Sequence, residues 1–166
     1  MPVKGGDMDR RSFLKGAVLG TAMAGAAVEA LAADRFFPVK VDQSLFGAIN
    51  KVKDTSNKTP LEKTHAPVVT APLTVKAGEP FMVEVSVGEI AHPMGQAHWI
   101  EFISLEIGNE PAGRTDFQSR GYLSPKVAFM VTLVKEAAPA GKVTLIAHQR
   151  CNLHGYWEGS TDITVT

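Results

Sequence analysis

In Phe81-Met82-Val83-Glu84-Val85-Ser86-Val87 the side chains alternate, so Val83, Val85 and Val87 share one face of a strand while Glu84 and Ser86 share the other. Trp99 to Ile107, Val127 to Val134, Lys142 to Ala147 and Ile163 to Val165 are further β-rich runs, and Val68–Val69 and Leu73–Val75 are shorter ones. Gly and Pro punctuate them at Ala77-Gly78-Glu79-Pro80, Gly108-Asn109-Glu110-Pro111 and Pro139-Ala140-Gly141. About seven short strands at this spacing predict an all-β fold, an immunoglobulin-like sandwich of two sheets. A chain of about 130 residues buries roughly two-thirds of its unfolded surface, enough to stand without disulfides.

The chain ahead of these strands differs in character. Arg10-Arg11-Ser12-Phe13-Leu14-Lys15 is a twin-arginine pattern, followed by a small-residue apolar stretch from Gly16 to Val28 and an A-x-A cleavage site at Ala30-Leu31-Ala32. The apolar stretch falls short of the roughly 20 residues that span a bilayer, so no stable membrane anchor is expected. Residues 1–32 read as a twin-arginine signal peptide and 33–57 as an N-terminal extension. The extension includes a short helix over Ser44–Val52, where Leu45, Ile49 and Val52 recur at helical spacing. Residues 58–166 form the β-domain. Export to the periplasm is the expected location.

The 166 residues carry 17 basic and 17 acidic side chains, for a formal net charge of +0. With no run of like charges, this argues against a nucleic-acid binder that works by neutralising phosphates. The single cysteine, Cys151, cannot form an internal disulfide or build a four-cysteine metal centre. Self-association is left open.

Chemistry concentrates in the histidines. Of His65, His92, His98, His148 and His154, four stand beside Gly, Pro or polar residues in loop-like contexts. Cys151-Asn152-Leu153-His154-Gly155 lets one tight turn offer a thiolate and an imidazole to the same ion, and His92-Pro93-Met94-Gly95-Gln96-Ala97-His98 offers two more imidazoles. A C-x-x-H pair alone is more often a buried thiol beside a hydrogen-bonded histidine. One soft thiolate together with several imidazoles favours a mononuclear transition-metal site. A blue-copper centre is poorly served, because the last methionine, Met130, precedes Cys151. Structural zinc takes four ligands and no vacancy. Four imidazoles and one thiolate suggest five-coordinate iron.

Ala91-His92-Pro93-Met94 with His98-Trp99-Ile100, taken with Cys151-Asn152-Leu153-His154-Gly155-Tyr156-Trp157, resembles the superoxide reductases of the desulfoferrodoxin and neelaredoxin group over roughly residues 58–166. The resemblance implies a β-sandwich holding a mononuclear iron that cycles between Fe2+ and Fe3+. His65, His92, His98 and His154 would be its equatorial ligands and Cys151 its axial thiolate. Superoxide would bind opposite Cys151 and leave as hydrogen peroxide. His148 matches no ligand. The family's iron–tetrathiolate domain needs four cysteines, so a separate electron donor such as a rubredoxin or a cytochrome is implied.

The family places Glu-Lys directly before its first ligand histidine, whereas this chain reads Leu61-Glu62-Lys63-Thr64-His65. Lys63 remains a candidate to draw in the anion and Glu62 a candidate to cap the iron. In an extended loop, however, a one-residue shift reverses a side chain's direction. The displacement keeps a second reading open: a non-catalytic exported β-sandwich that binds a metal or a protein partner.

Overall fold

The structure is a computed structural model that describes residues 41–120 and 122–166. The segment of residues 1–32 expected to be a signal peptide and the start of the extension lie outside the described residues. Among the described residues eight strands form two sheets: β1 (Pro67–Thr70), β2 (Thr74–Val75), β3 (Pro80–Val87), β4 (Ile100–Ile107), β5 (Glu110–Asp116), β6 (Lys126–Thr132), β7 (Lys142–Cys151) and β8 (Gly155–Val165). One sheet has the order β1-β3-β6 and the other β2-β8-β7-β4-β5, antiparallel except where β2 runs beside β8. The core lies between them. Val83, Val85 and Val87 face inward from the small sheet, against Ile103, Leu105, Leu145, Ala147 and Ile163 from the large one. The alternation in β3 thus becomes one face of a sandwich, each buried Leu or Ile contributing about 1.5–3 kcal/mol.

Three local expectations change. The helix over Ser44–Val52 is only a 3-10 turn at Gln43–Phe46, capped by the Asp42 carboxylate. Beyond Gly47 the backbone bonds to β8 instead: Asn50 N–H donates to the Tyr156 carbonyl at 2.8 Å, and Glu158 N–H to the Asn50 carbonyl at 2.9 Å. Ile49 is left exposed, so the apolar spacing there serves no buried helix face. Secondly, Gly108-Asn109-Glu110-Pro111 is punctuation, but it opens an additional strand. β5 carries Pro111 on the sheet edge, where a missing N–H costs no ladder bond, and a register shift at Leu105/Glu106 accommodates it.

Thirdly, the approach to His65 is helical, not an extended loop. Helix α1 spans Pro60–His65. Thr59 and Glu62 form a reciprocal capping box and Pro60 sits at the first turn, a T-P-x-E signature that is present in the sequence.

The register brings the ends of these elements together. Pro67 pairs with Val87, so the exit from α1 lies beside the end of β3, from which the His92 loop departs. Ile100 pairs with Cys151 and Cys151 with Gly155. The His65, His92–His98 and Cys151–His154 segments therefore gather at one end of the sandwich. β1 also crosses close to β8: a methyl group on Gly159 would overlap the Pro67 carbonyl. Gly159→Ala is expected to lower stability by about 1–3 kcal/mol in urea unfolding, with β1 displaced. An unchanged midpoint would show that the two strands are free to separate.

Candidate metal centre

Each ligand candidate arrives on a short segment whose ends are tied into the sandwich. Cys151 is the last residue of β7 and is fully buried. The turn after it reverses at Gly155, whose φ of 71° suits glycine. Asn152 clamps that turn to the neighbouring loop: its Oδ1 accepts from Trp99 N–H at 2.9 Å and its Nδ2 donates to the Ala97 carbonyl at 2.9 Å. The loop closes on itself through Gly95 N–H to the His98 carbonyl and is pinned by Ile100 N–H on the Met94 sulfur at 3.4 Å.

Five donor atoms converge. The ligand atoms of His65, His92, His98 and Cys151 all lie within 4.8 Å of one another, and His154 joins them through Nδ1. His65 Nε2 is 3.2 Å from His92 Nε2 and 2.9 Å from His154 Nδ1, while His154 Nδ1 is 3.2 Å from His98 Nε2. Around the ring of histidines the neighbouring centroids are 4.5 to 4.8 Å apart, and His65 and His98 face each other across the diagonal at 5.9 Å. The Cys151 sulfur lies 3.1 Å from His98 Nε2 and 3.5 Å from His154 Nδ1.

Hydrogen bonds at the far side of two rings settle what these atoms are. His65 Nδ1 donates to the Leu61 carbonyl at 2.9 Å, with the Thr64 hydroxyl 2.8 Å away, and His92 Nδ1 donates to the Pro93 carbonyl at 2.6 Å. A carbonyl only accepts, so in each neutral ring the proton sits on Nδ1 and Nε2 is a bare lone pair. Two lone pairs then face each other across 3.2 Å, an arrangement that a shared cation relieves. Nitrogens bound about 2.1 Å from one ion and at right angles stand about 3.0 Å apart, matching these spacings. The donor set fits a transition-metal ion.

Burial sets the protonation states. It pushes His65 down to about 4 and His92 down to about 3, assisted by neighbouring imidazoles and opposed by the Leu61 and Pro93 carbonyls. His98 and His154 are lowered for the same reason. Burial pushes the Cys151 thiol up to about 11, against the pull of the Leu153 and His154 backbone amides.

The remaining candidates are placed as follows. Glu62 is buried, and its carboxylate accepts from Lys53 N–H, Thr59 N–H and the Thr59 hydroxyl at 3.0, 2.7 and 2.9 Å. These bonds hold it below the usual carboxylate range. To reach the donor cluster it would have to give up the helix cap. Lys63 is exposed; two residues before His65, it lies about 200° around the helix from it. His148 points away from the cluster and bridges Glu106 and Glu158 at 3.4 and 3.2 Å. Trp157 is buried with its ring 5.5 Å from that of His65, and its Nε1–H donates to the His154 carbonyl at 2.9 Å. Its buried ring packs against that of His65. The sequence reading missed Thr64, Asn152 and the two orienting carbonyls; only Asn152, inside the C-x-x-H turn, carries a sequence signal.

Comparison with known proteins agrees with this geometry. The sequence matches the Desulfoferrodoxin family over residues 57–160. A protein assigned as a superoxide reductase in Methanocaldococcus jannaschii is 37% identical over 115 residues, covering 69% of this chain and 92% of its own. The solved structure of superoxide reductase (neelaredoxin) from Ignicoccus hospitalis is 35% identical, covering 76% of this chain and 100% of that one with a TM-score of 0.60. A desulfoferrodoxin of Nitratidesulfovibrio vulgaris is 33% identical over 75 residues, 45% of this chain and 50% of that one.

The protonation states predict the pH dependence of metal binding. Above pH 7 the four imidazoles are neutral, while the Cys151 thiol keeps its proton up to about pH 11. One proton therefore leaves per ion bound, and affinity rises about tenfold per pH unit from 7 to 9. Competition with a chelator across that range checks this; a flat profile would show that no proton leaves Cys151 when the ion binds.

Proposed function

The chain belongs to the desulfoferrodoxin family, and from that membership we infer that it is a superoxide reductase. The observation that carries the reading is the convergence of His65, His92, His98, His154 and Cys151, with the protons of His65 and His92 held on the nitrogens that face away. The ion these residues would hold is iron, which supplies a single electron by cycling between Fe2+ and Fe3+. The reaction it would support is the one-electron reduction of superoxide, with two protons, to hydrogen peroxide.

The chain's own groups divide the work. The four imidazoles would bind it as neutral ligands, and the Leu61 and Pro93 carbonyls hold two of them in register. Cys151 would contribute to it the negative charge and strong electron donation of a thiolate, tuned by the Leu153 and His154 amides. Leu153 is buried with Cys151 in the core and Trp157 is buried against the His65 ring, whereas His98 and His154 are half-buried and give the cluster its contact with solvent. Because the chain has no net charge, attraction of an anion relies on local cations, and Lys63 at the end of α1 is the proposed one.

Electrons come from a separate one-electron carrier such as a rubredoxin or a cytochrome, since one cysteine builds no tetrathiolate centre within this chain. Export by the twin-arginine route to the periplasm is proposed from Arg10-Arg11 and Ala30-Leu31-Ala32. Among the described residues no helix is long and apolar enough to cross a membrane.

The decisive assay combines metal analysis with superoxide consumption. Reduction yields peroxide without oxygen, and a metal-loaded protein that consumes no superoxide would leave only the binding-module reading. Cys151→Ser is expected to abolish the thiolate-to-iron charge-transfer absorption of the oxidised protein. Lys63→Ala is expected to lower the second-order rate with superoxide by a few-fold to about tenfold at low salt and to flatten its ionic-strength dependence. An unchanged rate in pulse radiolysis would remove Lys63 from the steering role.

A further inference from the structure

Strand β7 sends Val143, Leu145, Ala147, Gln149 and Cys151 into the sandwich. Four of these are apolar side chains or a thiol, and the fifth is a primary amide with no exposed surface. Leu or Met would fill that position without polar atoms to satisfy. Gln149 instead makes one well-formed bond and leaves one group unmatched: its Nε2 donates to the His65 carbonyl at 2.8 Å, while its Oε1 is buried with no hydrogen-bond partner among the described residues. The orientation of the amide follows from the acceptor, because a carbonyl cannot donate. Retaining a half-satisfied amide in a core costs stability that a hydrophobe would not, so the bond to His65 is the feature to explain.

That bond has a particular place in the site. His65 is the last residue of α1, where helix carbonyls lose their intrahelical partners. Its ring is held at one end by the Leu61 carbonyl, and its main chain at the other by Gln149. Gln149 stands two residues before Cys151 on the same strand and face. One side chain thus ties the backbone of a proposed imidazole ligand to the strand that ends in the proposed thiolate.

We propose that Gln149 is a positioning residue of the metal centre: its amide N–H, donated to the His65 carbonyl, sets where the His65 ring stands relative to the Cys151 sulfur. The proposal rests on the reading that these residues hold iron. Gln149 touches neither the ion nor the substrate; it acts through His65, as outer partners of metal ligands do.

The test is the iron-loaded Gln149→Met protein, which keeps a side chain of similar length and loses both amide groups. Iron is expected to leave to a chelator about tenfold faster or more than from the wild type. The charge-transfer band of the oxidised form is expected to shift in position or intensity, a response that a purely packing role would not produce. Release and band both matching the wild type in a folded variant would overturn the proposal. A wild-type protein with no such band would instead overturn the iron–thiolate reading itself, so the two failures are told apart. Should the variant not fold, the zinc-loaded wild type supplies the measurement: the Gln149 side-chain amide protons are expected to exchange with solvent about a hundredfold more slowly than those of the exposed Gln96 and Gln118. Exchange as fast as theirs would overturn the proposal.

Discussion

Two bare imidazole nitrogens, on His65 and His92, stand 3.2 Å apart in a largely buried pocket because carbonyl groups hold the protons on the opposite side of each ring. Lone pairs in that position repel, and burial prevents either ring from taking up a proton at neutral pH. The surrounding structure has to hold the rings against this repulsion until a cation replaces it with bonding. Much of the architecture at this end of the molecule serves that end: the capping box that stops α1 from unwinding, the Asn152 clamp between two loops, and the turn at Gly155.

The β-sandwich suits the task because its strand ends are fixed by registers set far from the site. A shift of one residue between β4 and β7 would break the pairing of Ile100 with Cys151 and turn alternate side chains to the wrong face. The apolar core opposes such a shift along the whole length of both strands. The energy that places the thiolate is therefore spread over Ile103, Leu105, Leu145 and Ala147, none of which is itself a donor.

The elements that were legible in sequence share one property: their signal is local. Alternation identified β3, β-rich runs identified β4, β6 and β7, and the spacing of Cys151 and His154 identified a turn with two donors. The pieces that were not legible owe their form to distant partners. Residues 47–52 have helical spacing yet bond to β8, since Tyr156 and Glu158 offer backbone groups that a short isolated helix cannot match. β5 has little strand character of its own, with Pro111 and Gly113 inside it, and exists because β4 presents an open edge. The helix before His65 did carry a signature, and it shows that the one-residue displacement of Glu62 and Lys63 is read on a helical rather than an extended backbone, with Glu62 engaged at the cap.

By itself the sequence determined the fold class, the absence of disulfides and tetrathiolate chemistry, and the inventory of donors. Each of these depends on residue type and short-range spacing alone. Only the tertiary structure decided which nitrogen of each ring is bare, that His148 stays outside the cluster among carboxylates, and that His65 is tied through Gln149 to the strand of Cys151. Those outcomes rest on where backbone carbonyls from remote segments come to lie, and a carbonyl looks the same at every position of a chain until folding aims it.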